Sequence, residues 1–258
     1  MVHFFQLVKY RSWYFIPLTL ACLMEVVGYA FRSLSAKKNP YNVIYFVVQY
    51  FFIVTAPVFI AATIYVCLSR LINWSRQSEF NTARRKWLRP KLILWVFITA
   101  DVIATVLQIL GAALIGVGQS DRDYEKADRA NNILLGGLAF QTGAFFIFFG
   151  LLIAFTISIY RDPQFGPTLG GKRWFFVALW LASALVAIRT CFRLAETAEG
   201  IYGKLVNNEH YFIALEFVPI ALAVILLAVG HPGRYLPNRQ RNKGQVEMAP
   251  LDSRQSGY

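Results

Sequence analysis

The sequence predicts an all-α polytopic membrane protein with about six transmembrane helices. Composition is the first reason: 57% of the 258 residues are hydrophobic, only 16% are charged, and the mean hydropathy is +0.46, whereas soluble domains carry about 25% charged residues. Segment length is the second, because mainly apolar stretches recur that can cross about 30 Å of hydrocarbon at 1.5 Å per residue. The third is placement, since Lys and Arg gather between these stretches rather than on them, as topology-setting charges do. That placement also makes the net charge of +12 a membrane signal rather than a nucleic-acid one.

Six spans follow in order, at 13–34, 42–68, 91–118, 131–160, 174–195 and 211–230. The first is too long for a signal-peptide core and carries Glu25, so no cleavable signal is expected. The second contains Pro57, whose ring removes a helical hydrogen bond, frees a carbonyl one turn earlier and predicts a kink. The third carries Asp101 and Gln108, the fourth Gln141, the fifth Arg189 and Arg193, and the sixth Glu216. Short polar loops join them, and no internal repeat is visible. Residues 1–230 therefore read as one transmembrane domain. Residues 231–258, rich in Arg, Asn, Gln and Pro, read as a disordered basic tail.

Orientation follows from the cations. The N-terminus, the second-to-third and fourth-to-fifth loops and the tail hold seventeen Lys and Arg, against six on the other side. The positive-inside rule makes the first group, including the C-terminus, cytoplasmic. The sequon Asn73-Trp74-Ser75 then faces the cytoplasm and is expected to be unglycosylated. Trp13, Trp74, Trp87 and Trp174 fall near span ends, where indoles anchor at the bilayer interface.

Polar side chains inside the spans need a reason, because each ionisable group near the bilayer centre costs about 2.5–3.5 kcal/mol on insertion scales. Glu25, Asp101 and Gln141 fall near the midplane on this topology, Gln49, Gln108, Glu216 and Arg189 in the outer half, and Arg32, Arg193 and Glu196 close to the outer interface. This asymmetry predicts a polar, ligand- or water-lined cavity opening away from the cytoplasm. Glu25, Tyr29 and Arg32 share a helix face at i, i+4 and i+7, and Asp101 and Gln108 are seven apart. Arg193 and Glu196 can pair locally, leaving Arg189 to seek Glu216, Asp101 or another acid. The deep positions thus hold three carboxylates, Glu25, Asp101 and Glu216, against one arginine, Arg189. A carboxylate left over is either protonated or waiting for a cation. Interhelical packing alone is the competing explanation for any one of these groups.

Other chemistries find little support. There is no HExxH or GxSxG, and His3, His210 and His231 stand at span edges, so neither catalysis nor a metal or other cofactor is expected. Cys22, Cys67 and Cys191 form no CxxC pair and lie in apolar segments, where they are expected to be buried as small apolar residues.

Taken in order, the motifs resemble the fungal RTA-like family, the resistance-to-aminocholesterol or lipid-translocating exporter proteins. Glu25-Val26-Val27-Gly28-Tyr29-Ala30-Phe31-Arg32 resembles its ExxGYxxR signature, and Ala56-Pro57-Val58-Phe59 with Tyr65 and Arg70 resembles its proline-containing helix. Asp101, Gln108 and Gly111 resemble DxxxxxxQxxG. Arg189 through Glu196 resembles RxxxRxxE, followed by Glu209, Glu216 and His231-Pro232-Gly233. The family is a seven-helix one, so the resemblance implies that these six spans correspond to its last six. Glu216 stands where the family usually has Asp.

The resemblance implies an integral protein of the plasma membrane or an endomembrane that exports or flips cationic amphiphiles such as sphingoid long-chain bases, contributing to lipid asymmetry and drug resistance. Its partners would be membrane lipids and an amphiphilic or sterol-like ligand. Glu25, Tyr29, Asp101, Gln108, Gln141, Arg189 and Glu216 are the expected binding residues, with Arg32, Pro57, Arg193 and Glu196 structural. Two alternatives stay open: a seven-helix receptor-like sensor that binds a lipid in the same cavity and signals through its basic loop and tail, and a structural membrane protein acting on lipid asymmetry indirectly.

Overall fold

The computed structural model describes residues 15–38, 43–77, 89–161, 173–200 and 209–230; the expected tail at 231–258 lies outside them. Among the described residues the elements are helical throughout: α1 (Ile16–Lys38), α2 (Val43–Gln77), α3 (Pro90–Ser120), α4 (Tyr124–Tyr160), α5 (Arg173–Ala198), a short α6 (Glu209–Phe212), a π-helical turn (Ile213–Phe217) and α7 (Val218–Val229). Five of the helices are long and apolar enough to cross a membrane, and the shorter apolar stretch Ile213–Val229 supplies a sixth segment. This is an all-α polytopic membrane protein.

Span limits differ from expectation most in two places. α2 continues to Gln77, beyond the end expected at 68, because its final turns still bury Leu71, Ile72 and Ser75. α4 begins at Tyr124 rather than 131, so the expected charged loop before it shrinks to a tight turn. Arg122 takes the left-handed conformation there (φ 57°), and Asp123 caps α4 by accepting the Lys126 backbone N–H at 3.1 Å. Glu125 and Arg129, expected in that loop, form an ion pair along the helix. α3 starts with Pro90 in its first turn, where the missing N–H costs no intrahelical bond.

The helices pack as two rings that share the α2–α5 edge. In one, α2, α3, α4 and α5 follow each other around a core that includes Tyr65, Phe97, Phe148 and Leu179. In the other, α1 lies on α2, the π-turn lies on α5, and Tyr29 of α1 meets Phe217 of the π-turn edge to face, ring centroids 5.3 Å apart. Small residues bring the backbones together, as is common where no hydrophobic drive separates helix from lipid. At Gly111 a Cβ would lie 2.8 Å from the Leu134 backbone nitrogen, so α3 and α4 touch almost backbone to backbone. Large apolar residues such as Trp95, Val96, Phe146 and Ile147 point outward, which suits a lipid surround.

Candidate functional site

The α1–α2–α5–π ring holds a buried ionic network built on two irregular helices. In α2, Pro57 has no N–H for the Ile53 carbonyl one turn earlier, and that carbonyl instead accepts from Arg189 Nη2 at 3.2 Å. α2 stays helical through Pro57, and the Ile53 carbonyl is the freed acceptor expected of the proline. The π-turn precedes Pro219, which likewise lacks an N–H for the last α-helical register, and it carries Glu216 inward at 1% exposure. π-turns inside helices often mark functional positions.

Glu216 joins the two arginines of α5. Arg189 Nη2 lies 3.3 Å from Glu216 Oε1, and Arg193 Nη1 lies 3.4 Å from Glu216 Oε2 and 2.8 Å from Glu196 Oε2. The Arg193 guanidinium also stands 5.4 Å from the centroid of the Tyr50 ring, a cation–π distance. The local Arg193–Glu196 pair and the Arg189–Glu216 pair are those read from spacing. Arg193 and Glu196 are both buried among the helices, at only 8% exposure. Arg193 joins Arg189 on Glu216, so two arginines, where the sequence reading paired one, compensate that acid.

Glu25 lies half-buried in electrostatic reach of Arg189 and Glu216. Its Oε2 is buried and has no hydrogen-bond partner among the described residues. Gln49 Oε1, Arg189 Nε and Arg193 Nε are in the same condition, so the helices that build this network carry several polar atoms that their own packing does not satisfy. Such orphans are uncommon in folded proteins and call for a partner. Tyr29 falls within reach of Glu25, Glu216, Arg189 and Arg32, and Glu196 within reach of Arg32.

Asp101, Gln108 and Gln141 belong to the other ring. Tyr65 OH donates to Asp101 Oδ2 at 2.9 Å, and Phe148 and Phe97 surround the Tyr65 ring at centroid distances of 4.4 and 5.6 Å. Gln108 Nε2 donates to Gln141 Oε1 at 2.7 Å, with Gly137 giving the Gln108 side chain room. Tyr65 and Ile53 are twelve residues apart on α2, or about 18 Å along the axis. The structure therefore separates the expected single cluster into a charged ring and a neutral-donor ring, and Asp101 does not meet Arg189.

Two participants escaped the sequence reading. Tyr50 was missed, whereas the freed Ile53 carbonyl was legible from Pro57 and only its partner, Arg189, was not. The π-turn was missed too, and Pro219 was its signal. The cysteines also divide, with Cys67 buried, Cys22 intermediate and Cys191 exposed.

Comparison with known proteins places this architecture. Protein RTM1 of Saccharomyces cerevisiae is 30% identical over 84% of this chain and 66% of its own length. Protoporphyrin uptake protein 1 of the same species is 29% identical over 84% of this chain and 68% of its own. Sphingoid long-chain base transporter RSB1, again from S. cerevisiae, is 28% identical over 90% of this chain and 67% of its own. The chain thus spans about two thirds of the length of the curated relatives it matches. No solved structure matches it. The RTA1 like protein family matches residues 18–239, and the ExxGYxxR, proline and RxxxRxxE motifs of that stretch are the ones that build the ionic ring: this chain belongs to the RTA1 like protein family.

Proposed function

We propose that this chain binds cationic amphiphilic lipids, of the sphingoid-base kind, and moves them across the plasma membrane, with its C-terminus cytoplasmic, so contributing to lipid asymmetry and to tolerance of amphiphilic toxicants. One observation carries the reading: Glu25 offers a buried, unpartnered carboxylate oxygen beside a network whose other deep acid, Glu216, already has two arginines. A lipid ammonium and a buried carboxylate each offset the other's desolvation. Tyr29, on the same face of α1, would flank the headgroup, while the tail remains in lipid beside the apolar outer helix faces. Arg189 and Arg193 hold Glu216 and limit the charge that the site presents. Asp101, Gln108 and Gln141 would form a second polar step in the neighbouring ring. The curated relatives named as a sphingoid long-chain base transporter and a protoporphyrin uptake protein support a transport role over catalysis.

The test is redistribution of a fluorescent sphingoid base across liposomes holding the purified protein. Glu25→Gln is expected to slow transport at least about tenfold, the equivalent of about 1.4 kcal/mol, with no loss of thermal stability. Equal rates for Glu25→Gln and wild type would overturn the role of Glu25.

A further inference from the structure

A cleft of about 530 Å³ opens where the end of α2 meets the start of α3, lined by Asn73, Arg89, Pro90, Lys91, Leu92 and Trp95, none of which belongs to either polar cluster. Its level in the bundle is set by the apolar spans, one of which ends at Asn73 while the next begins at Pro90. The cleft thus stands at the height where hydrocarbon gives way to headgroups. Its floor is fixed, because Pro90 is buried and its carbonyl accepts from Ser69 Oγ of α2 at 3.3 Å. The flanking Arg89 and Lys91 are both exposed. Lys91 and Trp95 are i, i+4 and share a helix face, so the lining passes from cation to indole within one turn. Leu92 and Trp95 are 61% and 69% exposed, and none of the six lining residues is acidic.

We infer that this cleft is a binding site for an anionic phospholipid, with the phosphate between Arg89 and Lys91 and an acyl chain lying over Leu92 and Trp95. Two cations without an acid complement a phosphate. A soluble phosphate would leave the indole and leucine without a role, whereas a lipid uses both ends of the lining. This inference is independent of the transport reading.

The test measures binding of phosphatidylserine and of phosphatidylcholine to the full chain in detergent micelles by native mass spectrometry. Wild type is expected to prefer phosphatidylserine, and Arg89→Ala with Lys91→Ala to weaken that binding about twenty-five-fold, taking about five-fold per cation near an anionic surface. The control, Arg122→Ala with Arg129→Ala, removes two exposed cations at the other end of α3 and α4 and is expected to leave binding unchanged. Equal loss in both double variants, or none in either, would overturn the site. A second readout needs no charge variant: the fluorescence difference between wild type and Trp95→Phe is expected to be quenched more by brominated phosphatidylserine than by brominated phosphatidylcholine. Equal quenching would overturn the proposal, and so would displacement of the lipid by inorganic phosphate.

Discussion

The two rings treat the same problem, a carboxylate inside a membrane, in opposite ways. Glu216 is held by two guanidinium groups, themselves tied to a backbone carbonyl, a second acid and a tyrosine face. Asp101 has a phenol from α2 and phenylalanines around that phenol. The first arrangement couples four chain segments through charge, so loss of one member leaves the others uncompensated. The second is a single interhelical hydrogen bond in an apolar setting, so its loss remains local. The charged ring is therefore expected to be the more fragile to substitution. Both rings hold buried polar atoms without a partner, Gln108 Oε1 and Thr142 Oγ1 in the neutral one, but the carboxylate oxygen among them, Glu25 Oε2, belongs to the charged ring.

The largest test of that contrast is Glu216→Ala, which leaves Arg189 without its acid and Arg193 with only Glu196. Thermal or denaturant unfolding in detergent is expected to show a loss of about 3–5 kcal/mol, the range for breaking a buried ion pair from one side. Tyr65→Phe should cost less, about 1–3 kcal/mol, since it strands one buried acceptor. A larger cost for Tyr65→Phe than for Glu216→Ala would break the comparison. A smaller effect comes from Gly28→Ala. Its Cβ would lie 2.9 Å from Ile53 Cγ1 and 3.3 Å from the Ile53 nitrogen, pressing on the residue whose carbonyl holds Arg189. A cost near the low end of overpacking, about 1 kcal/mol, is expected. Gly143→Ala, where nothing lies within 4 Å, should be neutral or slightly stabilising because alanine is the better helix former. Equal stabilities for the two alanine variants would show that Ile53 gives way freely.

Most of the fold was legible because hydropathy over about twenty residues reports burial in lipid directly. The limits that moved were those where helices leave the apolar zone: the amphipathic end of α2 and the charged first turns of α4 remain helical, and hydropathy does not see them. Within the site, helical spacing gave Arg193–Glu196 because both partners are on one helix. Arg189–Glu216 was reachable as one of several options, since charge demands an opposite charge. Tyr65 against Asp101 was not, because a hydroxyl donor carries no such demand and sixteen percent of the chain is aromatic. The division into two rings depends on which helices are neighbours, and single-sequence periodicity does not encode that.

The position of Glu216 also bears on how the chain is made. Arg193 and Glu216 are 23 residues apart, so during synthesis α5 is complete before its principal acid has left the ribosome. α5 then presents two guanidinium groups to the translocon; Arg193 can pair with Glu196 on the same helix, but Arg189 has no acid yet and is opposed by up to about 2.5–3.5 kcal/mol, the cost at a helix centre. Entry together with the following segment removes much of that cost, because Glu216 arrives on the returning arm. The last two spans are thus expected to insert together as a helical hairpin, with the acid of the π-turn serving the birth of the bundle as well as its finished form.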